Sequence, residues 1–146
     1  MKAGGRFLAV DWGERRIGLA LTDETQTLAQ PLATLTRRAG KRFPMARLLE
    51  LVNRHHVTGI IVGLPLDETG AEGDAAHAAR ALADDIKRRV GDVEVTMWDE
   101  RMTTARVLAA VREMGGSTRG RKADLDAMAA ALLLQHYLDT RKGTAL

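Results

Sequence analysis

Residues 6–22 decide the fold class of this chain, and they read RFLAVDWGERRIGLALT. Two short apolar runs, at residues 6–11 and 17–22, are separated by a loop that contains Gly13. Apolar runs of this length on either side of a glycine-containing loop are typical of two paired strands. We therefore expect a β-hairpin at the start of a sheet, with Asp11 closing its first strand.

The rest of the chain alternates between strand and helix patterns. Further strands are predicted at residues 28–35, 57–62 and 93–98, and helices at 45–55, 72–90, 104–114 and 124–140. Pro31 assigns the third strand to an edge, because proline cannot donate to a ladder of hydrogen bonds. The last helix is rich in Ala and Leu on nearly every side, so we expect it to be mostly buried. This order predicts a mixed α/β sheet in a single domain over residues 1–146.

Composition excludes several classes of protein. The 146 residues are 45% hydrophobic and 28% charged, which is typical of a globular domain. We expect no membrane span, because no run of about 18 apolar residues is present, and no secretory signal. The absence of cysteine excludes disulfides, zinc–thiolate sites and cysteine nucleophiles, and it fits a reducing, cytoplasmic location.

The net charge of +3 is unevenly distributed, with basic segments on both sides of an acidic middle. The basic clusters are Arg15/Arg16, Arg37/Arg38/Lys41/Arg42 and Arg119/Arg121/Lys122. Because only 3% of the residues are aromatic, we expect any nucleic-acid contact to be made to phosphates rather than by base stacking. Solvated loops and helix faces are the alternative interpretation of each cluster.

Acidic residues stand where predicted strands end. Asp11 closes the first strand, Asp99 and Glu100 follow the last, and Asp126 enters the first turn of the final helix, with Asp124 as its N-cap. Ligand sites of α/β sheets lie at the carboxyl ends of strands, so these acids can converge. Converging carboxylates repel one another unless a cation joins them, and oxygen ligands favour Mg²⁺ or Mn²⁺. Such a cation would polarise a phosphate and activate water for in-line attack.

Each acid taken alone also has a structural interpretation. Asp126 alone fits the positive end of a helix dipole, and Asp99 or Glu100 alone fits an ordinary strand end. Neighbours on a strand face opposite sides, so the pattern leaves open whether Asp99 or Glu100 faces the site. The segment Gly63-Leu64-Pro65, after the predicted strand at 57–62, is expected to shape a tight loop beside the strand ends.

Four motifs, in order along nearly the whole chain, are similar to those of the YqgF family. They are Asp11-Trp12-Gly13 with Arg16-Ile17-Gly18-Leu19-Ala20, Gly63-Leu64-Pro65, Asp99-Glu100-Arg101-Met102-Thr103-Thr104, and Lys122-x-x-Leu-Asp126-x-x-Ala129-Ala130-x-x-Leu133-Leu134-Gln135. Members of this family are called pre-16S rRNA nucleases or Holliday junction resolvase-like proteins. The resemblance implies a ribonuclease H-like fold, with a mixed five-stranded sheet flanked by helices.

The resemblance also implies phosphodiester hydrolysis that depends on a divalent metal, Mg²⁺ or Mn²⁺. Carried over residue by residue, the catalytic and metal-binding acids are Asp11, Glu100 and Asp126. Arg16 and Arg101 match basic positions of the motifs and would contact phosphate or form salt bridges with the neighbouring acids. No fourth acid stands beside Asp126, which favours a one-metal over a two-metal site.

The basic cluster of Arg119, Arg121 and Lys122 precedes the acid-bearing helix, and we expect it to hold substrate phosphates. The implied partner is nucleic acid, with processing of the 5′ end of pre-16S rRNA as the first hypothesis. Resolution of branched DNA is the alternative, and it favours a homodimer over a monomer because two symmetric cuts are made. A non-catalytic ribosome-assembly factor is a further hypothesis. An actin-like phosphotransferase is disfavoured, because that fold needs two such domains.

Overall fold

The computed structural model describes residues 4–37, 42–67, 69–102 and 122–141. The strands are β1 (Arg6–Asp11), β2 (Arg16–Thr22), β3 (Ala29–Thr36), β4 (Val57–Leu64) and β5 (Glu94–Asp99). The helices are α1 (Met45–Arg54), α2 (Asp74–Arg89) and α3 (Lys122–Arg141), and a short 3₁₀ turn covers Glu100–Met102. The helix expected at 104–114 lies outside the described residues, as do Arg119 and Arg121.

The five strands form one mixed sheet in the order β3-β2-β1-β4-β5. Strand β2 runs antiparallel to β1 and β3, whereas β4 runs parallel to β1 and β5. The predicted hairpin and the edge position of β3 are therefore confirmed. Pro31 lies beside a shift in the β2–β3 register, where a missing donor disturbs the ladder least.

Helix α3 covers one face of the sheet, and α1 and α2 cover the other. In β1, Phe7 and Ala9 pack with α3, while Leu8 and Val10 pack with α1 and α2. A strand buried on both faces reads as a continuous apolar run rather than an alternating one. This is why β1 is apolar until Asp11, which is the first polar position of the α3 face.

Two expectations about α3 are corrected. The helix begins at Lys122, so Asp126 lies in its second turn and Asp124 is not its N-cap. Lys122 and Ala123 have good helix propensity, which extends the helix by two residues beyond the predicted start. One side of α3 is also exposed rather than buried, at Met128 (45%) and Leu132 (37%). Across the described ranges, no helix is both long and apolar enough to cross a membrane.

Candidate active site

Helix α3 packs directly against Gly18 of β2. A Cβ atom at Gly18 would collide with the backbone carbonyl oxygen of Asp126, so only glycine allows this packing. Gly18 is also the antiparallel partner of Asp11 on β1. The contact therefore brings the backbone of Asp126 over the residue directly beside Asp11.

Glu100 reaches the same face of the sheet from the other direction. A Cβ atom at Gly63 would lie 2.7 Å from Glu100 Oε1 and 2.7 Å from Leu133 Cδ1 of α3. Gly63 follows Val62, which pairs with Val10 immediately before Asp11. The Glu100 carboxylate thus lies over β4, on the α3 face and beside the end of β1.

Gly63 itself is inside a strand rather than in a loop. Strand β4 continues to Leu64, two residues beyond the predicted end at residue 62. The expectation that Gly63-Leu64-Pro65 forms a tight loop is therefore wrong for Gly63 and Leu64. The missing side chain of Gly63 instead leaves the space that the Glu100 carboxylate and Leu133 occupy.

Asp99 contacts Arg101, its second neighbour along the chain. Its Oδ2 accepts a hydrogen bond from Arg101 Nη2 at 2.9 Å, and its Oδ1 accepts one from the Arg101 backbone N–H at 2.9 Å. Burial raises the pKa of Asp99, but the hydrogen bonds from Arg101 outweigh it and hold that pKa below its ordinary value. Asp99 therefore stabilises the turn that follows β5, and the salt-bridge alternative expected for Arg101 is the one observed.

Arg16 likewise forms a salt bridge with a neighbouring acid. Its Nε lies 2.5 Å from Asp126 Oδ2, and the two side chains are 35% and 17% exposed, respectively. Both residues line a cavity of about 310 Å³ that is formed by residues 11–16 and Asp126. Both Arg15 and Arg16 border this cavity, which therefore combines three acids, Asp11, Glu14 and Asp126, with two guanidinium groups.

The donor set is chemically suited to a hard divalent cation. Asp11 is 5% exposed and Glu100 is 8% exposed, so two carboxylates are buried at one edge of the sheet with Asp126 next to them. Buried carboxylates are costly unless cations or hydrogen bonds compensate them. Within the described residues, however, no three acidic or histidine side chains are already assembled around a common point. Oδ2 of Asp126 contacts the Arg16 guanidinium instead.

The packing contacts of Gly18 and Gly63 were not predicted from the sequence. The available signal is a glycine inside a strand pattern, which marks a close approach of another backbone or side chain. Gly18 and Gly63 both fit that description. Of the predicted basic cluster, Lys122 lies within the described residues, as the first residue of α3.

A family model and named relatives both match nearly the whole of this chain. The family model described as "RuvX: Holliday junction resolvase" matches residues 5–140. A relative from Acetivibrio thermocellus named "Putative pre-16S rRNA nuclease" is 37% identical over 136 residues, covering 93% of this chain and 96% of its own. A relative of the same name from Anaeromyxobacter sp. (strain Fw109-5) is 39% identical over 136 residues, covering 93% and 98%.

Among solved structures, the chain is similar to T. thermophilus RuvC in complex with a Holliday junction substrate. The TM-score is 0.57, the identity is 20%, and the match covers 97% of this chain and 98% of that one. This likeness supports the ribonuclease H-like fold, and the family match confirms the resemblance carried by the four motifs. The chain therefore belongs to the RuvX family of Holliday junction resolvases.

Proposed function

We propose that this protein is a divalent-metal-dependent nuclease that processes the 5′ end of pre-16S rRNA in the cytoplasm. The observation that supports the proposal is that the backbone of Asp126 packs on Gly18, opposite Asp11, while the Glu100 carboxylate lies over Gly63. Two glycine contacts, at Gly18 and Gly63, bring the acids of α3 and of the turn after β5 to the end of β1. The names of the curated relatives support the substrate.

Each acid has a distinct part in this proposal. Asp11 stands between the other two, because Gly18 beside it carries Asp126 and Gly63 on its other side carries Glu100. The three would hold Mg²⁺ or Mn²⁺, which supplies polarisation of the scissile phosphate when bound. Leu133 and the apolar face of α3 pack beside the Glu100 carboxylate and would exclude water from that side of it.

Basic residues around the acids would hold the substrate backbone. Arg15 and Arg16 line the cavity beside Asp11, and Arg101 follows Glu100 in the turn after β5, where it pairs with Asp99. Guanidinium groups match phosphate oxygens in a two-pronged geometry, so they orient the chain of phosphates across the acidic edge. Arg119, Arg121 and Lys122 are proposed to extend this contact along the substrate.

Cleavage of branched DNA is the second candidate function. The family description and the solved RuvC complex both name Holliday junctions, and the same acids would serve either substrate. A junction resolvase makes two symmetric cuts and is expected to be a homodimer, whereas an RNA-processing nuclease can act as a monomer. The oligomeric state measured by light scattering therefore helps to separate the two.

A cleavage panel tests the proposal directly. Wild-type protein is incubated with a 5′-extended pre-16S rRNA fragment, unrelated single-stranded RNA, single-stranded DNA and a four-way DNA junction, each with Mg²⁺ or Mn²⁺. Substitution of residues outside a metal's direct ligands typically lowers activity by about tenfold to a hundredfold. Because Glu100 is proposed to bind the metal directly, we expect Glu100→Gln to lose more cleavage activity than that. Asp85→Asn is the matched control, since its carboxylate pairs with Arg88 on the exposed side of α2. Equal activity of wild type and Glu100→Gln on every substrate would refute the proposal.

A further inference from the structure

Asp126 lies between a positive and a negative neighbour on the same face of the sheet. Its backbone packs on Gly18, which has Asp11 directly opposite on β1 and Arg16 two residues earlier on β2. Directly opposed residues of antiparallel strands are about 5 Å apart, and residues two apart on one strand are about 7 Å apart. One carboxylate rooted over Gly18 can therefore turn towards Arg16 or towards Asp11.

In the structure, the carboxylate of Asp126 is turned towards Arg16. The Nε–Oδ2 separation is 2.5 Å, which is a close charge-assisted contact. This orientation directs the side chain of Asp126 to the only charge of opposite sign among Arg16, Asp11 and Glu100. It also commits Oδ2 to a guanidinium donor, and a cation cannot approach that oxygen while the guanidinium stays in contact with it.

We propose that Arg16 and the divalent cation compete for the carboxylate of Asp126, and that Arg16, once displaced, binds a substrate phosphate in the adjoining cavity. The inference rests on the proposed function, because it requires a cation among Asp11, Glu100 and Asp126. Arg16 is then a phosphate-binding residue that becomes available only when the metal is in place.

The surroundings of Arg16 favour exchange over a permanent pair. Its side chain is 35% exposed, so water can reach the guanidinium as it leaves. Ion pairs with this exposure contribute little free energy, and a divalent cation bound by buried carboxylates exceeds that contribution. The cavity lined by residues 11–16 gives the displaced side chain a place beside Arg15.

A permanent pair predicts the opposite result for metal binding. If Arg16 holds Asp126 in the orientation that the cation needs, loss of Arg16 weakens metal affinity. If Arg16 competes, loss of Arg16 strengthens it, because the oxygen is released and a positive charge is removed from the neighbourhood of the cation.

The test measures the Mn²⁺ dissociation constant of the full chain by electron paramagnetic resonance at fixed ionic strength. The proteins are wild type, Arg16→Gln and Arg80→Gln, whose Nε similarly contacts Glu72 Oε1 at 2.7 Å near the start of α2. We expect Arg16→Gln to bind Mn²⁺ roughly three- to tenfold more tightly than wild type, the range that loss of a part-exposed ion pair and one nearby charge gives. Arg80→Gln should match wild type. An equal or weaker affinity of Arg16→Gln would overturn the competition.

A second arm follows the displaced side chain. Binding of a cleavage-resistant phosphorothioate RNA is titrated against salt, in chelator and in Mn²⁺. With Mn²⁺ present, Arg16→Gln should lower the salt slope by about one unit relative to wild type; in chelator the two slopes should be equal. A decrease of slope in chelator as large as that in Mn²⁺ would show that Arg16 contacts phosphate without exchange and would overturn the proposal.

Asp11→Asn separates this inference from the proposed function. If wild type binds Mn²⁺ no more tightly than Asp11→Asn, the acidic metal site itself fails, and the competition fails with it. If Asp11→Asn weakens Mn²⁺ binding but Arg16→Gln does not strengthen it, only the competition is refuted. Circular dichroism of Arg16→Gln and Arg16→Lys checks that both variants fold, and Arg16→Lys should bind Mn²⁺ no more tightly than Arg16→Gln.

Discussion

Substitution of Gly63 by alanine should disturb the site without changing any charged residue. The added Cβ would lie 2.7 Å from Glu100 Oε1, whereas ordinary contact begins near 3.4 Å, so the carboxylate must retreat by about 0.7 Å. Overpacking of this kind costs about 1–3 kcal/mol of unfolding free energy. Displacement of a reacting group by about 1 Å lowers rates by up to about a hundredfold. We expect Gly63→Ala to lose both stability and metal-dependent cleavage.

The measurements are urea unfolding and initial cleavage rate, with Gly73→Ala as the matched control. A Cβ at Gly73 would meet nothing within 4 Å, so this variant should stay close to wild type in both. In a Glu100→Ala background, Gly63→Ala should cost less stability than in wild type, though still something, because Leu133 Cδ1 also lies 2.7 Å from the new atom. Unchanged stability and activity of Gly63→Ala would refute the placement of Glu100 over β4.

Three further predictions follow from the fold and the charge map. Gly18→Ala should destabilise the protein more than Gly63→Ala in urea unfolding, because the backbone oxygen of Asp126 cannot rotate away and α3 must move; an equal or smaller effect would contradict the close packing. The pKa of His55 is lowered mainly by burial and further by the charges of Arg6 and Arg54. The unfolding free energy should therefore fall as the pH drops below about 6.5, because the unfolded state binds the proton more readily. This fall should be smaller in His55→Gln than in the control His77→Gln. Replacing Arg119, Arg121 and Lys122 together by Ala should lower the salt slope of RNA binding by roughly one unit for each phosphate that these side chains neutralise, and it should leave the thermal midpoint nearly unchanged; an unaltered slope would assign the cluster to solvent.

Local pattern was sufficient to predict the sheet and the position of α2. The apolar run of β1 ends at Asp11 in the sequence and in the structure, and the helix predicted at residues 72–90 is observed as α2, Asp74–Arg89. These features depend on periodicity and burial, which neighbouring residues determine together.

The choice between Asp99 and Glu100 could not be made from local pattern. Their carboxylates are adjacent in the chain, and it is Gly63 on β4 that accommodates Glu100 while Arg101 holds Asp99. The start of α3 differs from its predicted position for a related reason, since Asp124 resembles a cap although the helix begins at Lys122. The choice between Asp99 and Glu100 depends on tertiary contacts. The start of α3 depends on the helix propensity of residues that precede the apparent cap.

The orientation of Asp126 is a third feature that local pattern leaves open. Contact with phosphate and a salt bridge are both compatible with Arg16 in the sequence, and the structure has the salt bridge. The decisive fact is that Gly18 brings α3 onto β2 one strand away from Asp11. The carboxylate of Asp126 then has the Arg16 guanidinium on one side and the Asp11 carboxylate on the other. The spacing of residues within a single motif does not predict this arrangement.

The most direct test of the acidic metal site is the thermal midpoint of wild type and Asp11→Asn, first in chelator and then with Mg²⁺ or Mn²⁺. If Asp11, Glu100 and Asp126 converge, removal of one charge relieves repulsion, and Asp11→Asn should melt at the same temperature as wild type or higher in chelator. Metal should raise the midpoint of wild type by mass action and raise that of Asp11→Asn much less. A clearly lower midpoint of Asp11→Asn in chelator, together with an unaltered response to metal, would contradict the convergent site.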